Sequence, residues 1–370
     1  MKIGIDARFI GPAGTGLGKY TEKLIQNLVN IDKKNQYAIF LRKNNWDYLK
    51  LGNKNFSKIL ADVSWYSLEE QLKMPKIYSR QNLDLLHVPH FNVPLAYTGN
   101  FVVTIHDLIH HQFSQEATTT KNLTLFKIKR LVYKFTIGAA VKRALKIIVP
   151  SNYVKDQIVK VFKVNPSRII VTYEAAEEEY FKNRLPSTVH RLPTLLYVGN
   201  AYPHKNLNRL LAASKILYTK YQIPNTNLLL ICPRDIFWQR LDGEIKARNL
   251  EGKVRLMGYI RVGELTKLFV KASAYVFPSL SEGFGIPGLN AMAAELPVAC
   301  SDIPTFKEVY GEAAIYFNPH DPKDIAFKIK KVLTDLSTRS DLIEKGRIQA
   351  KKYSWQKMAA QTLAVYQSVV

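Results

Sequence analysis

Cysteine is nearly missing from this 370-residue chain: it has two, Cys232 and Cys300, and neither stands at metal-ligand spacing to another Cys or His. Both lie in apolar, strand-like runs (LLLICP and LPVACS). A disulfide framework and a zinc ribbon are therefore excluded, and buried thiols in a reducing compartment are expected. Acidic residues are also scarce, 30 Asp and Glu against 53 Lys and Arg, for a formal charge of +23. That excess speaks to partners rather than fold: it attracts anionic lipid headgroups, phosphorylated substrates and nucleic acid. No recognisable nucleic-acid motif accompanies it, so nucleic acid is not an expected partner. Solvated basic surface remains the plain alternative. No run approaches the roughly 20 apolar residues that span a bilayer. The N-terminal MKIGIDARFI alternates instead of holding a long apolar stretch, which reads as a strand and not a signal peptide. A cytoplasmic location is expected, or a peripheral one on the inner face of the membrane. There is no 20–50-residue repeat and no low-complexity tract.

What is present is a regular alternation. Apolar residues make up 47% and charged residues 22%, enough for two domains with real cores. Short β-branched runs alternate with helical patterns, the mark of parallel sheets with crossover helices. In the first half the strand candidates are KIGIDAR, YAIFLR, LDLLHV, FVVTIHD, KIIVP and RIIVTY, with helices predicted over 18–30 and 152–162. The pattern restarts with TLLYVGN, NLLLIC, KVRLMG, AYVFPS, PVAC and AAIYF, with helices over 206–221, 263–271, 288–295 and 322–335. The polar segment 174–193 reads as a linker between an N-terminal domain (1–173) and a C-terminal one (194–353). Residues 354–370 have helical apolar spacing and are expected to cross back to the N-terminal domain. Two open parallel sheets imply two crevices at the carboxyl ends of strands, where ligands bind in such folds.

Four motifs fall at such ends. GPAGTGLGKY follows the first strand; Gly11, Gly14, Gly16 and Gly18 allow close approach of a ligand, and the next helix offers free N–H groups to phosphate. It fits neither a Walker A loop nor a clean GxGxxG, and an ordinary turn explains it too. VTIHDL puts His106 and Asp107 at a strand end, although a lone His is commonly structural. In YVGNAYPHKNL, Lys205 sits at a helix start, where a cation is disfavoured unless an anion offsets the dipole; a solvated lysine is the alternative. In FPSLSEGFGIPGLNAMAAELPVAC, Glu282 precedes glycines and a proline that leave backbone N–H groups open to a ligand. Its plain role would be to complement the helix N-terminus.

Taken together, in order and spacing, these segments resemble the retaining glycosyltransferases of the GT-B fold, family 4. The family hallmark Glu-x7-Glu within EGFGxPxLEAMA reads EGFGIPGLNAMA here. The likeness runs over essentially the whole chain, and GIDAR with TGLGKY is most similar to the bacterial polysaccharide and O-antigen branch, in which GDP-mannose is a common donor. The resemblance implies an α/β protein of two Rossmann-like domains facing a central cleft. It implies retaining transfer of a hexose from a nucleoside diphosphate sugar to a glycan or lipid-linked acceptor, with no metal or other cofactor required and no Asp-x-Asp metal motif placed at a strand end. Carried over residue by residue, it places Gly16 against the donor phosphates, His106 near the reacting carbon and Lys205 on the diphosphate. Tyr259 and Ile260 line the base pocket, Glu282 holds sugar hydroxyls, and Gly283, Phe284 and Gly285 contact the sugar and phosphate through their backbone. Gly199, where the strand before Lys205 ends, is a further donor-binding residue.

The departures from the pattern are Asn290 for the ribose-binding Glu, Asn200 for a basic residue, His204 for Arg, and Ala294-Glu295 for Cys-Gly. They leave open a weakened partner subunit, or another nucleotide-sugar enzyme on the same fold. Residues 121–146 hold eight Lys/Arg and no acid, interleaved with Leu, Phe, Ile and Val. This basic helix makes an anionic membrane surface a further candidate partner; the alternative is an apolar side packed on the sheet with solvated charges.

Overall fold

The computed structural model describes residues 1–11, 15–112, 123–182, 193–223 and 226–369. Residues 12–14 of the first glycine-rich loop, 183–192 of the expected linker and 121–122 of the basic segment lie outside them. The chain divides into two compact units, one of Met1–Gln112, Lys121–Glu174 and Ser354–Val370, the other including Ala175–Tyr353.

The first unit is built from β1 (Lys2–Asp6), α1 (Thr15–Ile31), β2 (Gln36–Leu41), β3 (Phe56–Leu60), α2 (Leu68–Ser79), β4 (Leu85–Val88) and β5 (Phe101–Thr104). A short α3 (Ile109–Gln112), α4 (Leu123–Arg143), β6 (Ile147–Val149), α5 (Asn152–Phe162) and β7 (Ile169–Val171) follow. Its seven strands lie in the order β3-β2-β1-β4-β5-β6-β7, and every pairing is parallel. β4, β5 and β6 are buried at every residue. Their near-continuous Leu, Val, Ile and Phe are what a central parallel strand with both faces covered requires. β3 is a strand the sequence reading does not contain. Among the described residues it is an edge strand paired only to β2; Phe56 alone is buried in it, and Lys58 stands at its centre, so its pattern is not that of a buried run.

The second unit contains α6 (Glu178–Lys182), β8 (Thr194–Val198), α7 (Leu207–Thr219), β9 (Asn227–Ile231), α8 (Ile236–Ala247), β10 (Val254–Met257) and α9 (Val262–Lys271). Then come β11 (Ala274–Phe277), α10 (Ile286–Ala293), β12 (Val298–Ser301), α11 (Pro304–Tyr310), β13 (Ala314–Phe317), α12 (Pro322–Thr334) and α13 (Leu336–Lys351). Its six strands are ordered β10-β9-β8-β11-β12-β13, again all parallel. All six expected strands are present. Helix starts follow local chemistry: Asp235 accepts from the amides of Phe237 and Trp238 to open α8, and Asp321 with Pro322 opens α12. Each such cap contributes about 1 kcal/mol.

The last helix, α14 (Trp355–Gln367), belongs to the first unit and packs on α1. It buries Trp355, Met358, Ala359, Thr362, Val365 and Tyr366. In each sheet the strand order reverses once, between β1 and β4 and between β8 and β11. A crevice opens there at the carboxyl ends. Among the described residues no helix is long and apolar enough to cross a membrane.

Candidate active site

In the second unit the loops that leave β8 and β11 flank the reversal. The β8 loop carries Lys205 and the β11 loop carries Glu282. Lys205 Nζ lies 2.5 Å from Glu282 Oε1, and both side chains are only about a tenth exposed. Ser279 Oγ donates to the same oxygen at 2.7 Å. Two links hold the loops in register: Leu280 N donates to His204 O at 2.8 Å, and Asn206 Nδ2 donates to Pro278 O and Pro319 O. Asn206 does this from a left-handed conformation, φ 61°, which Asn tolerates better than most residues. Thr305 Oγ1 donates to Glu282 O at 2.8 Å, fixing the backbone that bears the carboxylate. An ammonium and a carboxylate are thus held together, nearly buried, at the place where an α/β sheet binds ligands.

The glycine-rich segment after Glu282 is shaped by Tyr310. Gly285 has φ 102°, and a Cβ there would lie 2.3 Å from Tyr310 Oη. That hydroxyl donates to Gly285 O at 2.5 Å. Only glycine fits, and the turn it makes opens α10 with Pro287 in its first turn and no side-chain cap. The positive end of α10 is left for an anion. Phe284 turns its ring inward onto Tyr353, so it can offer a ligand only its backbone. Asn290 is buried, and its Oδ1 accepts the Glu177 amide at 2.9 Å. The oxygen that the resemblance assigns to a ribose hydroxyl is therefore engaged in joining α10 to the chain before α6. Gly199 N donates to Ile231 O and prolongs the sheet. Beside it, Asn200 Oδ1 is buried with no partner among the described residues. Tyr259 and Ile260 line an open pocket of about 450 Å³ at the ends of β9 and β10, together with Arg234, which the sequence reading does not single out.

In the first unit His106 follows β5. Its Nδ1 lies 3.1 Å from Glu174 Oε1 and its Nε2 lies 3.1 Å from Pro89 O, so both ring nitrogens face acceptors. Tyr20 meets the imidazole edge-on at 4.7 Å. Behind it runs a buried chain: Tyr20 Oη to Thr104 Oγ1, Thr104 Oγ1 to His87 Nε2 at 2.8 Å, and His87 Nδ1 to Tyr366 Oη at 2.6 Å. Burial, with a smaller effect of His106, pushes His87 down to about 3. Gly16 is exposed in the first turn of α1. Asp6 and Glu70 clasp Arg8 at 2.7 and 2.6 Å, all three fully buried. Burial holds Glu70 above its ordinary carboxylate value, partly offset by Arg8. The sequence does not mark Glu174, His87 or Glu70 as site residues: His87 lies within the strand run LDLLHV and Glu174 opens the expected linker, and each acquires its partner only through the fold.

Residues 56–180 match the family described as Glycosyltransferase Family 4, and residues 181–349 match Glycosyl transferases group 1. The chain belongs to this family of GT-B glycosyltransferases, with two Rossmann-like domains of seven and six strands. It is 29% identical to the O-antigen chain mannosyltransferase RfbU of Salmonella typhimurium, over 87% of this chain and 88% of the relative. Against O-antigen chain mannosyltransferase B of Escherichia coli the identity is 26%, over 95% and 96%. Among solved structures, a sucrose-phosphate synthase from Thermosynechococcus elongatus superposes with a TM-score of 0.78 at 20% identity, covering 100% of this chain and 98% of that one. WaaG, described as a glycosyltransferase of lipopolysaccharide biosynthesis, gives 0.72 at 15% identity, with 99% of each chain covered.

Proposed function

We propose that the protein transfers a hexose, with mannose from GDP-mannose favoured, to a glycan or lipid-linked acceptor in cell-surface polysaccharide synthesis, with retention of configuration. The observation that carries this reading is the Lys205–Glu282 pair at the β8/β11 crevice, beside the uncapped start of α10. The sugar and pathway draw on the mannosyltransferase relatives. In the reaction the bond from the anomeric carbon to the β-phosphate oxygen breaks, and its electrons stay on the diphosphate. Lys205 and the α10 amides stabilise that charge. The acceptor oxygen bonds to the same face of the carbon, and its proton passes to the leaving diphosphate. Glu282, with Oε1 held by Lys205 and Ser279, offers Oε2 to a sugar hydroxyl. His106 keeps the role near the reacting carbon that the resemblance implies. The protein's own cation serves the diphosphate, and no metal enters the proposal. Incubation with UDP-, GDP- and TDP-sugars tests it. Nucleoside diphosphate should be released from a GDP-hexose, with product of unchanged anomeric configuration by NMR. No release from any donor would defeat the reading in favour of a catalytically silent subunit.

A location at an anionic membrane surface rests on α4. Ile137, Ala140 and Val141 pack into the core, whereas Leu131, Val132 and Phe135 are 70%, 58% and 65% exposed beside exposed Lys134. Among the described side chains of this helix, the apolar ones are therefore only partly used by the sheet. Each basic residue near an anionic leaflet adds about 1 kcal/mol. Binding to anionic vesicles should be salt-sensitive and should fall when Leu131 and Phe135 are changed to Ser. Equal binding to neutral vesicles, or none to anionic ones at low salt, would refute it.

A further inference from the structure

The pocket at the ends of β9 and β10 contains an arginine with no assigned task. Arg234 stands just before α8. Among the described residues it forms no hydrogen bond and no ion pair, yet it is not left to wander. Its guanidinium lies 5.7 Å from the centroid of Trp238, within cation–π range. Trp238 is itself held by the Asp235 cap, which accepts its amide at 2.9 Å, and its indole points at Met257 O. The arginine stem crosses Gly258: a Cβ built there would lie 2.9 Å from Arg234 Nε and 3.2 Å from its Cγ. The lack of a side chain at 258 is what gives the stem its path. Tyr259, 69% exposed, presents a broad aromatic face at the same opening.

A fork of unused N–H donors beside an exposed aromatic ring suits a flat base with two adjacent acceptors on one edge. Guanine has that edge in O6 and N7, and arginine meets it with two parallel hydrogen bonds. Uracil offers no second acceptor next to O4. Placement agrees. β10, β9 and β8 are adjacent strands, so the pocket lies about 10 Å, two strand spacings, from the β8 loop that carries Lys205. A nucleotide with its diphosphate on Lys205 would lay its ribose across β9 and its base at Arg234.

Resting on the glycosyltransferase reading above, we infer that Arg234 is the residue that selects guanine in the donor, by reading O6 and N7 from a guanidinium steadied by Trp238 and admitted by Gly258. Free nucleotides test it by titration calorimetry on the full chain. GDP and inosine diphosphate, which keep O6 and N7, should bind alike. 7-Deaza-GDP and UDP should bind more weakly, by roughly tenfold or more. Arg234→Gln should bring GDP down to the level of UDP and leave UDP unchanged, and Arg234→Lys should not restore the preference. Gly258→Ala, which keeps the arginine but obstructs its stem, should narrow the gap between GDP and UDP. Equal loss of GDP and UDP in Arg234→Gln would put the guanidinium on phosphate and overturn the inference. So would unaltered GDP binding, or inosine diphosphate binding as weakly as UDP. If wild type binds UDP and GDP equally, only base selection by Arg234 falls. If it binds no nucleoside diphosphate, the glycosyltransferase reading falls and this inference with it.

Discussion

Acid should destabilise the first unit through one buried histidine. His87 lies in β4 with no exposed surface, its two nitrogens on the hydroxyls of Thr104 and Tyr366. A neutral ring satisfies both, donating from one nitrogen and accepting at the other. A charged ring would have to be buried, which lowers the folded value from 6.5 to about 3. The sign follows from proton counts. Above pH 6.5 neither state carries the extra proton and the stability is fully present. As pH falls below 6.5 the unfolded chain binds a proton that the folded chain refuses, so stability is lost until the folded group titrates near 3. Between pH 7 and pH 5 the loss is about 2 kcal/mol, before most carboxylates titrate. Urea unfolding of wild type and His87→Gln at pH 7, 6 and 5 isolates it, because the other histidines are common to both. The variant should start less stable and show a pH slope shallower by about 2 kcal/mol over that span. Parallel slopes would refute a neutral buried His87.

Three further outcomes are expected. Tyr366→Phe removes the hydroxyl at 2.6 Å from His87 and should cost about 1–3 kcal/mol in urea unfolding, because a buried nitrogen loses its partner. Gly285→Ala forces a left-handed φ of 102° on a residue with a Cβ and drives that atom at Tyr310; it should lower the melting temperature and abolish turnover together. Lys205→Met should cost up to about 3 kcal/mol by stranding a nearly buried carboxylate, and adding Glu282→Gln should recover most of it; strictly additive losses in that double-mutant cycle would show the two groups do not interact.

The parallel sheets were legible because the central strands are buried on both faces and write themselves as apolar runs. α5 lies over 152–162 as expected, since Ser151 caps it and Lys163 ends it in a left-handed turn. β3 was not legible, because an edge strand with one partner needs no apolar run. Lys205 and Glu282 could each be picked out as residues at strand ends. Their contact, across 77 residues of sequence, depends on which strands are neighbours. The pairing of His106 with Glu174 and of Asn290 with the Glu177 amide is hidden for the same reason. Arg234 is not legible in the sequence, because nothing in CPRDIFW marks an arginine whose stem passes over a glycine 24 positions further on.

Release of nucleoside diphosphate from GDP-mannose by wild type and by Glu282→Ala, with nucleotide binding and melting temperature measured on the same samples, bears most directly on the site. Wild type should turn the donor over. The variant should remain folded and still bind GDP through Lys205 and the α10 amides, while release falls to background. Near-normal release by Glu282→Ala would place the chemistry elsewhere and contradict the assignment of the Lys205–Glu282 crevice as the active site.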